Sequence, residues 1–267
     1  MHRANLFVGT VLVSIVLSAA LLSFVWLPHD PNAMDFSARF APPSAEHLLG
    51  TDDFGRDLLS RVLVGSRLTL FVGVVAVGIA LTLGCTVGAL AGYFGGWADE
   101  VLMRLVDVFY AFPAILMALL LAAIYGEGTL TAMVAIGIAT TPLFARLMRS
   151  SVLSVKEQDF VEAGRALGAS GSRVLLRHVL PSTLSPIIVQ ASLSLAVAVL
   201  AEAALSFLGL GTPPRTPSWG NMLREAQGFI AFSPYPVLVP GLAIVMTVLG
   251  WSLLGDGLRD WLDPKGR

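Results

Sequence analysis

The residues of this 267-residue chain that could do chemistry are few and widely spread. Gly168-Ala169-Ser170-Gly171 is a G-x-S-G string of the kind that can present a nucleophilic serine. A serine becomes a nucleophile only beside a base, usually histidine. His2, His29, His47 and His178 all lie outside the apolar runs, and the string itself sits in a charged loop. Proteolysis within a membrane is therefore set aside. Nucleotide hydrolysis would need G-x-x-x-x-G-K followed by Ser or Thr, with the lysine reaching the phosphates. Lys156 precedes Glu157 and Lys265 precedes Gly266, so neither fits. Cys85 is the single cysteine, which excludes an intrachain disulfide and a cysteine-based metal site. No catalytic residue, metal ligand or bound cofactor is assigned to the chain, and it is not expected to be an enzyme.

The carboxylates are more informative. An ionisable residue inside an apolar run marks function by default. Glu202 sits between Ala201 and Ala203-Ala204. It either lines a pathway and meets an ammonium group or metal cation, or is a helix-end carboxylate paired with an arginine or near the interface. Asp107 follows Arg104 by three residues, a spacing that predicts a pair on one helix. Glu127, between Gly126 and Gly128, reads as a hairpin tip.

These residues must be positioned by elements that lie in lipid. The chain is 55% hydrophobic and 13% charged, with mean hydropathy +0.78. A soluble domain carries about 25% charged residues. Net charge is −1, which gives no reason to expect nucleic acid. Six runs reach the length of about 20 residues that spans a bilayer. They are Leu6–Leu27, Leu68–Phe94, Val101–Tyr125, Gly128–Ala145 (extendable to about Met148), Leu184–Leu208 and Val237–Leu254. The first is too long for a signal-peptide core and is expected to be retained. An even number of crossings puts both termini on one side. With the termini cytoplasmic, eleven Arg and Lys residues lie inside and six outside, so N-in and C-in is expected.

The long connections are structured. Thr51 or Asp52 is expected to cap a short amphipathic surface helix carrying Leu58, Leu59, Val62 and Leu63. The outer loop at about 209–236 is rich in Gly and Pro, and its Trp219, Phe229, Phe232 and Tyr235 suit the headgroup level. The inner loop predicts a helix–turn–helix. Asp159 and Glu162 fit a capping box, Phe160, Ala163 and Leu167 share one face, and Gly168 suits a left-handed end. A second helix starts at Ser170 or Ser172 and carries Val174, Leu175, Val179 and Leu180. Gly84, Gly88 and Gly92, four apart, form a small-residue ridge for close helix packing.

Glu162-Ala163-Gly164, then Gly168, then Leu180-Pro181, resembles the EAA loop of bacterial ABC-importer permeases. Leu49-Gly-Thr-Asp-Asp-Phe-Gly-Arg-Asp57, Gly92-Tyr-Phe-Gly-Gly-Trp-Ala-Asp99, Leu205-Ser-Phe-Leu-Gly-Leu-Gly211, Pro217-Ser-Trp-Gly220 and Leu254-Gly-Asp-Gly-Leu-Arg-Asp260 resemble the shorter "C" permease subunit of the dipeptide, oligopeptide and nickel branch. The resemblance covers roughly 28–264. Gly164 departs from it, since the family most often has Ala there.

The resemblance implies an all-α, six-span permease of type I ABC-importer fold in a bacterial inner membrane. It implies an N-terminal spanning helix at 1–27, an extracytoplasmic segment at 28–66, a five-helix core at 67–258 with the coupling loop at about 151–183, and a cytoplasmic tail at 259–267. The implied partners are a homologous permease subunit in a heterodimer, two cytoplasmic ATPase subunits that hold ATP and Mg, and an extracytoplasmic solute-binding protein. Glu162, Ala163, Gly164, Leu167, Gly168 and Ala169 are the expected ATPase-coupling residues. Asp52, Arg56, Pro217 and Trp219 mark the expected binding-protein contact. The implied cargo is a di- or oligopeptide, with nickel or a metal chelate as the alternative. The rival from another class is a self-contained secondary transporter or channel. It would need relay charges across several spans, which this sequence scarcely offers.

Overall fold

Long apolar runs in a chain without β-patterning fold as helices, because each helix satisfies its own backbone polar groups. The computed structural model describes residues 2–213 and 216–262, with side chains from Ala4 onward. The expected tail residues 263–267, and Pro214 and Arg215 of the outer loop, lie outside the described residues. Helix α1 is His2–Val25, α2 Leu58–Phe94, α3 Gly96–Tyr110, α4 Ala114–Tyr125, α5 Thr129–Lys156 and α6 Asp159–Ala166. Then come α7 Gly171–Val174, a π turn Leu175–Val179, α8 Leu180–Ser182, α9 Leu184–Phe207, α10 Trp219–Ala226 and α11 Tyr235–Leu262.

Five of these helices are long and apolar enough to cross a membrane. The run Val101–Tyr125, expected to span, is bent by 85° between α3 and α4. Pro113 has no N–H and disfavours helix at the residue before it; here the chain turns at Ala111 and Phe112 and restarts after Pro113. The bent pair still returns the chain across the bundle. Seams between α2 and α5 run in the same direction. A Cβ at Gly137 would strike Ile79, one at Gly84 would strike Phe144, and one at Gly92 would strike the Arg149 carbonyl. Parallel α2 and α5 can be joined only if α3 and α4 together make a crossing. Six crossings result.

The ridge of Gly84, Gly88 and Gly92 thus packs within the subunit. A Cβ on Gly88 would lie 2.2 Å from the Ala145 carbonyl oxygen, so only glycine lets α2 and α5 approach this closely. Helices α1 and α11 form an antiparallel seam. Gly257 meets Leu6, Gly9 meets Leu254, and Gly250 meets Leu12. The start of α1 and the end of α11 therefore lie on one face, with Phe94, Lys156 and α6. We call this the terminal face and the other, which holds residues 28–57 and α10, the loop face.

Two further expectations are corrected. Helix α2 runs unbroken for 37 residues from Leu58, so Leu58, Val62 and Leu63 belong to it and no separate surface helix forms. Its cap is Asp57, whose carboxylate accepts from the Ser60 N–H, and not Thr51 or Asp52. Arg104 pairs with Glu100 at 2.8 Å, one turn back, while Asp107 accepts from Arg146 at 2.7 Å. Glu four residues before Arg is the better helix orientation, and Arg146 reaches across from α5. Arg149 grips Asp99 with two bonds of 2.5 Å, which lashes amphipathic α3 to α5.

Candidate functional site

On the terminal face, α6 is held out from the bundle by little more than one side chain. The helix starts at Gln158, whose carbonyl accepts from Val161 at 2.9 Å and Glu162 at 3.3 Å. Asp159 is therefore the first helical residue and makes no capping bond, contrary to the expected capping box. Its charge and that of Glu162 still lie in the first turn, where the helix dipole favours anions. Val161 is fully buried, the only buried residue of α6, and packs in a cluster with Val152, Val155, Val174, Val179 and Ile187. Sequence reasoning missed Val161 because the apolar face it picked points the other way. Phe160 is 43% exposed and Leu167 89% exposed, with Ala163 and Glu162 exposed beside them.

The end of α6 is sharply defined. Gly168 has φ +81°, donates to the Arg165 carbonyl at 2.9 Å, and is followed by Ala169 donating to Gly164 at 3.2 Å. This is the Schellman arrangement that glycine favours. At Gly164 an added Cβ would sit 3.6 Å from His178 Nε2, an ordinary contact, so the missing methyl is not forced by crowding. After the turn, Ser170 precedes α7, and Tyr93 Oη donates to the Gly171 carbonyl at 2.8 Å. Tyr93 was not foreseen as a support, although its motif was visible. The expected second helix passes through a π turn at Leu175–Val179, because Pro181 has no N–H to offer Arg177. Val174 and Val179 are buried as its apolar pattern requires.

The loop face is built in the opposite way. Asp52 Oδ1 accepts from the Phe54 and Arg56 N–H groups at 2.9 and 3.0 Å, and its Oδ2 accepts from Arg56 Nε at 2.6 Å. Arg56 and Arg61 both donate to Glu225 Oε2, at 2.6 and 3.0 Å, bridging the 28–57 segment, α2 and α10. Glu225 had no signal in the sequence. Burial, and then repulsion from Asp52, hold the Asp53 carboxyl above its usual range. Trp219 is 1% exposed and donates to the Val62 carbonyl at 3.1 Å. Asp52, Arg56, Pro217 and Trp219 are all buried. None of the four presents a free surface; they shape the face from beneath, because buried charges must be paired and an indole seeks both burial and an acceptor.

Glu202 is 1% exposed. Ser206 donates to it at 2.7 Å and Thr69 at 3.2 Å, and no salt bridge reaches it among the described residues. It therefore neither lines a lumen in this conformation nor pairs with an arginine. Ser206 also accepts from the Thr212 N–H at 3.2 Å, and Asn221 donates to the Thr212 carbonyl at 2.9 Å. The carboxylate thus anchors a chain of polar contacts from α2 through α9 to α10.

Comparison with known proteins agrees with this architecture. Residues 84–267 match the family described as binding-protein-dependent transport system inner membrane component. The chain is 44% identical over 258 residues to the dipeptide transport system permease protein DppC of Alkalihalophilus pseudofirmus, covering 97% of this chain and 85% of that one. It is 43% identical over 254 residues to the glutathione transport system permease protein GsiD of Pectobacterium atrosepticum, covering 95% and 84%. An inward-facing structure of the methionine ABC transporter MetNI superposes with TM-score 0.63 at 20% identity, covering 76% of this chain and 96% of that one. At that identity the likeness concerns the fold alone.

Proposed function

The chain belongs to the family of binding-protein-dependent transport system inner membrane components, and from that premise we propose that it forms half of the translocation pathway of an ATP-driven importer for di- and oligopeptides. The family implies ATPase and binding-protein partners in general. On our reading they are two ATPase subunits, which bind and hydrolyse ATP with Mg, one homologous permease, and one solute-binding protein. The terminal face is read as cytoplasmic and the loop face as the docking side for the binding protein. The two relatives named above carry dipeptides and glutathione, both peptides, which favours peptide over nickel as cargo. A self-contained channel has no use for a docking helix.

The observation that carries this reading is α6. A soluble-side helix that exposes Phe160, Ala163 and Leu167 and buries only Val161 is unfinished by itself. Burying a Phe or Leu side chain contributes about 1.5–3 kcal/mol each. A groove on an ATPase that covers this face gains that energy, and Glu162 adds a charge-assisted bond to basic or backbone donors. The Gly168 turn and the Val161 cluster then transmit ATPase closure to α5 and α9. Glu162→Lys should reduce ATPase co-purification and peptide uptake by at least about tenfold, roughly 1.4 kcal/mol. Its thermal midpoint should fall only slightly, since Glu162 is exposed and loses only its favourable first-turn charge. Unchanged retention and uptake would overturn the docking role.

A further inference from the structure

Three loop-face residues that the transport reading does not use converge on one point. Asp57 divides its carboxylate. Oδ2 accepts from the Ser60 N–H and hydroxyl, both at 2.8 Å, and so serves the start of α2. Oδ1 faces two imidazoles, with His47 Nδ1 at 3.1 Å and His29 Nδ1 at 3.8 Å. The three ligand atoms all lie within 4.8 Å of one another. His29 Nδ1 is buried and has no hydrogen-bond partner. A buried ring nitrogen without a partner is costly, and its backbone is fixed there because the His29 N–H donates to Ser60 Oγ at 3.1 Å. Asp57 is almost fully buried, while the His29 side chain is 36% exposed.

Metal geometry fits this set. Zinc sits about 2.0–2.2 Å from His nitrogen and carboxylate oxygen, so tetrahedral ligands lie about 3.3 Å apart. The observed 3.1 and 3.8 Å straddle that value. We propose that His29, His47 and Asp57 form a binding site for a borderline divalent transition-metal ion, with water as fourth ligand. Two imidazoles and one carboxylate suit Zn²⁺ and its neighbours, and do not suit Ca²⁺ or Mg²⁺, which take oxygen ligands. The ion would clip the chain leaving α1, the turn at His47 and the first residue before α2. This does not depend on which cargo the importer carries.

The test uses the full-length chain, freed of histidine tag and chelator-treated, in detergent. Titration calorimetry with ZnCl₂ should give one site per chain, and X-ray absorption should give a nitrogen and oxygen shell with two imidazoles. Loss of a mere supporting contact weakens metal affinity about 10–100-fold, so His29→Ala and His47→Ala should each weaken it at least as much. His29→Ala removes no side-chain hydrogen bond and should fold normally, judged by an unchanged thermal midpoint without zinc. Equal zinc affinity in His29→Ala, or no one-to-one binding in the unsubstituted chain, would overturn the site and leave only the His47–Asp57 hydrogen bond.

Discussion

The two faces of this molecule solve opposite problems. On the loop face, charged residues are buried and paired with one another, as in Asp52, Arg56, Arg61 and Glu225. On the terminal face, apolar residues are exposed, as in Phe160 and Leu167. A buried charge is tolerable only when its partners are in place, and here Asp52, Arg56, Arg61 and Glu225 supply one another's partners within one chain. An exposed apolar face gains from being covered, and Phe160 and Leu167 are left uncovered by this chain. The loop face is tied together by ion pairs, and the terminal face leaves apolar side chains uncovered.

Substitutions can break this contrast. The largest effect is expected at Asp52→Ala, which strips Arg56 of one of its two acceptors at 2.6 Å in a buried network. Removing one partner of a buried pair costs about 3–5 kcal/mol, so the thermal midpoint in detergent should fall sharply. A midpoint equal to that of the unsubstituted chain would mean that the belt is not structural. Val161→Ala should cost less, about 1–2 kcal/mol, from the lost methyl groups. The loss should be local. Hydrogen exchange across 159–182 should accelerate while the spanning helices stay protected. Uniform acceleration would deny α6 its separate attachment. The smallest effects separate two glycines of the same turn. Gly168→Ala forces an alanine into a left-handed conformation, a penalty of about 1 kcal/mol. Gly164→Ala should instead stabilise α6 by up to about 1 kcal/mol, because space exists for the methyl group. Opposite signs in exchange rates at Val161 and Ala163 would sharpen the contrast; equal signs would break it.

The glycine readings were legible in the sequence for a physical reason. Gly168 ends a helix by a backbone rule that acts over three or four residues, and the spacing of Gly84, Gly88 and Gly92 is set by helical pitch. Local periodicity also placed the spans. It failed at Pro113, where hydropathy continued through a break that backbone sterics imposed, and at Asp57, where hydropathy could not show that α2 begins ten residues before its apolar stretch. The face of α6 was chosen correctly as apolar, but its direction was not visible, since one apolar side chain resembles another until a neighbour claims Val161.

The amino-acid sequence therefore determined the class of molecule, its crossings and the glycine turn that ends α6, because lipid solvation and helix geometry act on residues close together in the chain. Tertiary structure alone decided that Glu225 would meet Arg56 and Arg61, separated from it by 169 and 164 residues. It alone turned Glu202 inward to Thr69 and Ser206, and brought His29 and His47 to Asp57. Those meetings depend on how the ends of separate helices fold over one another, and no local pattern of residues encodes that.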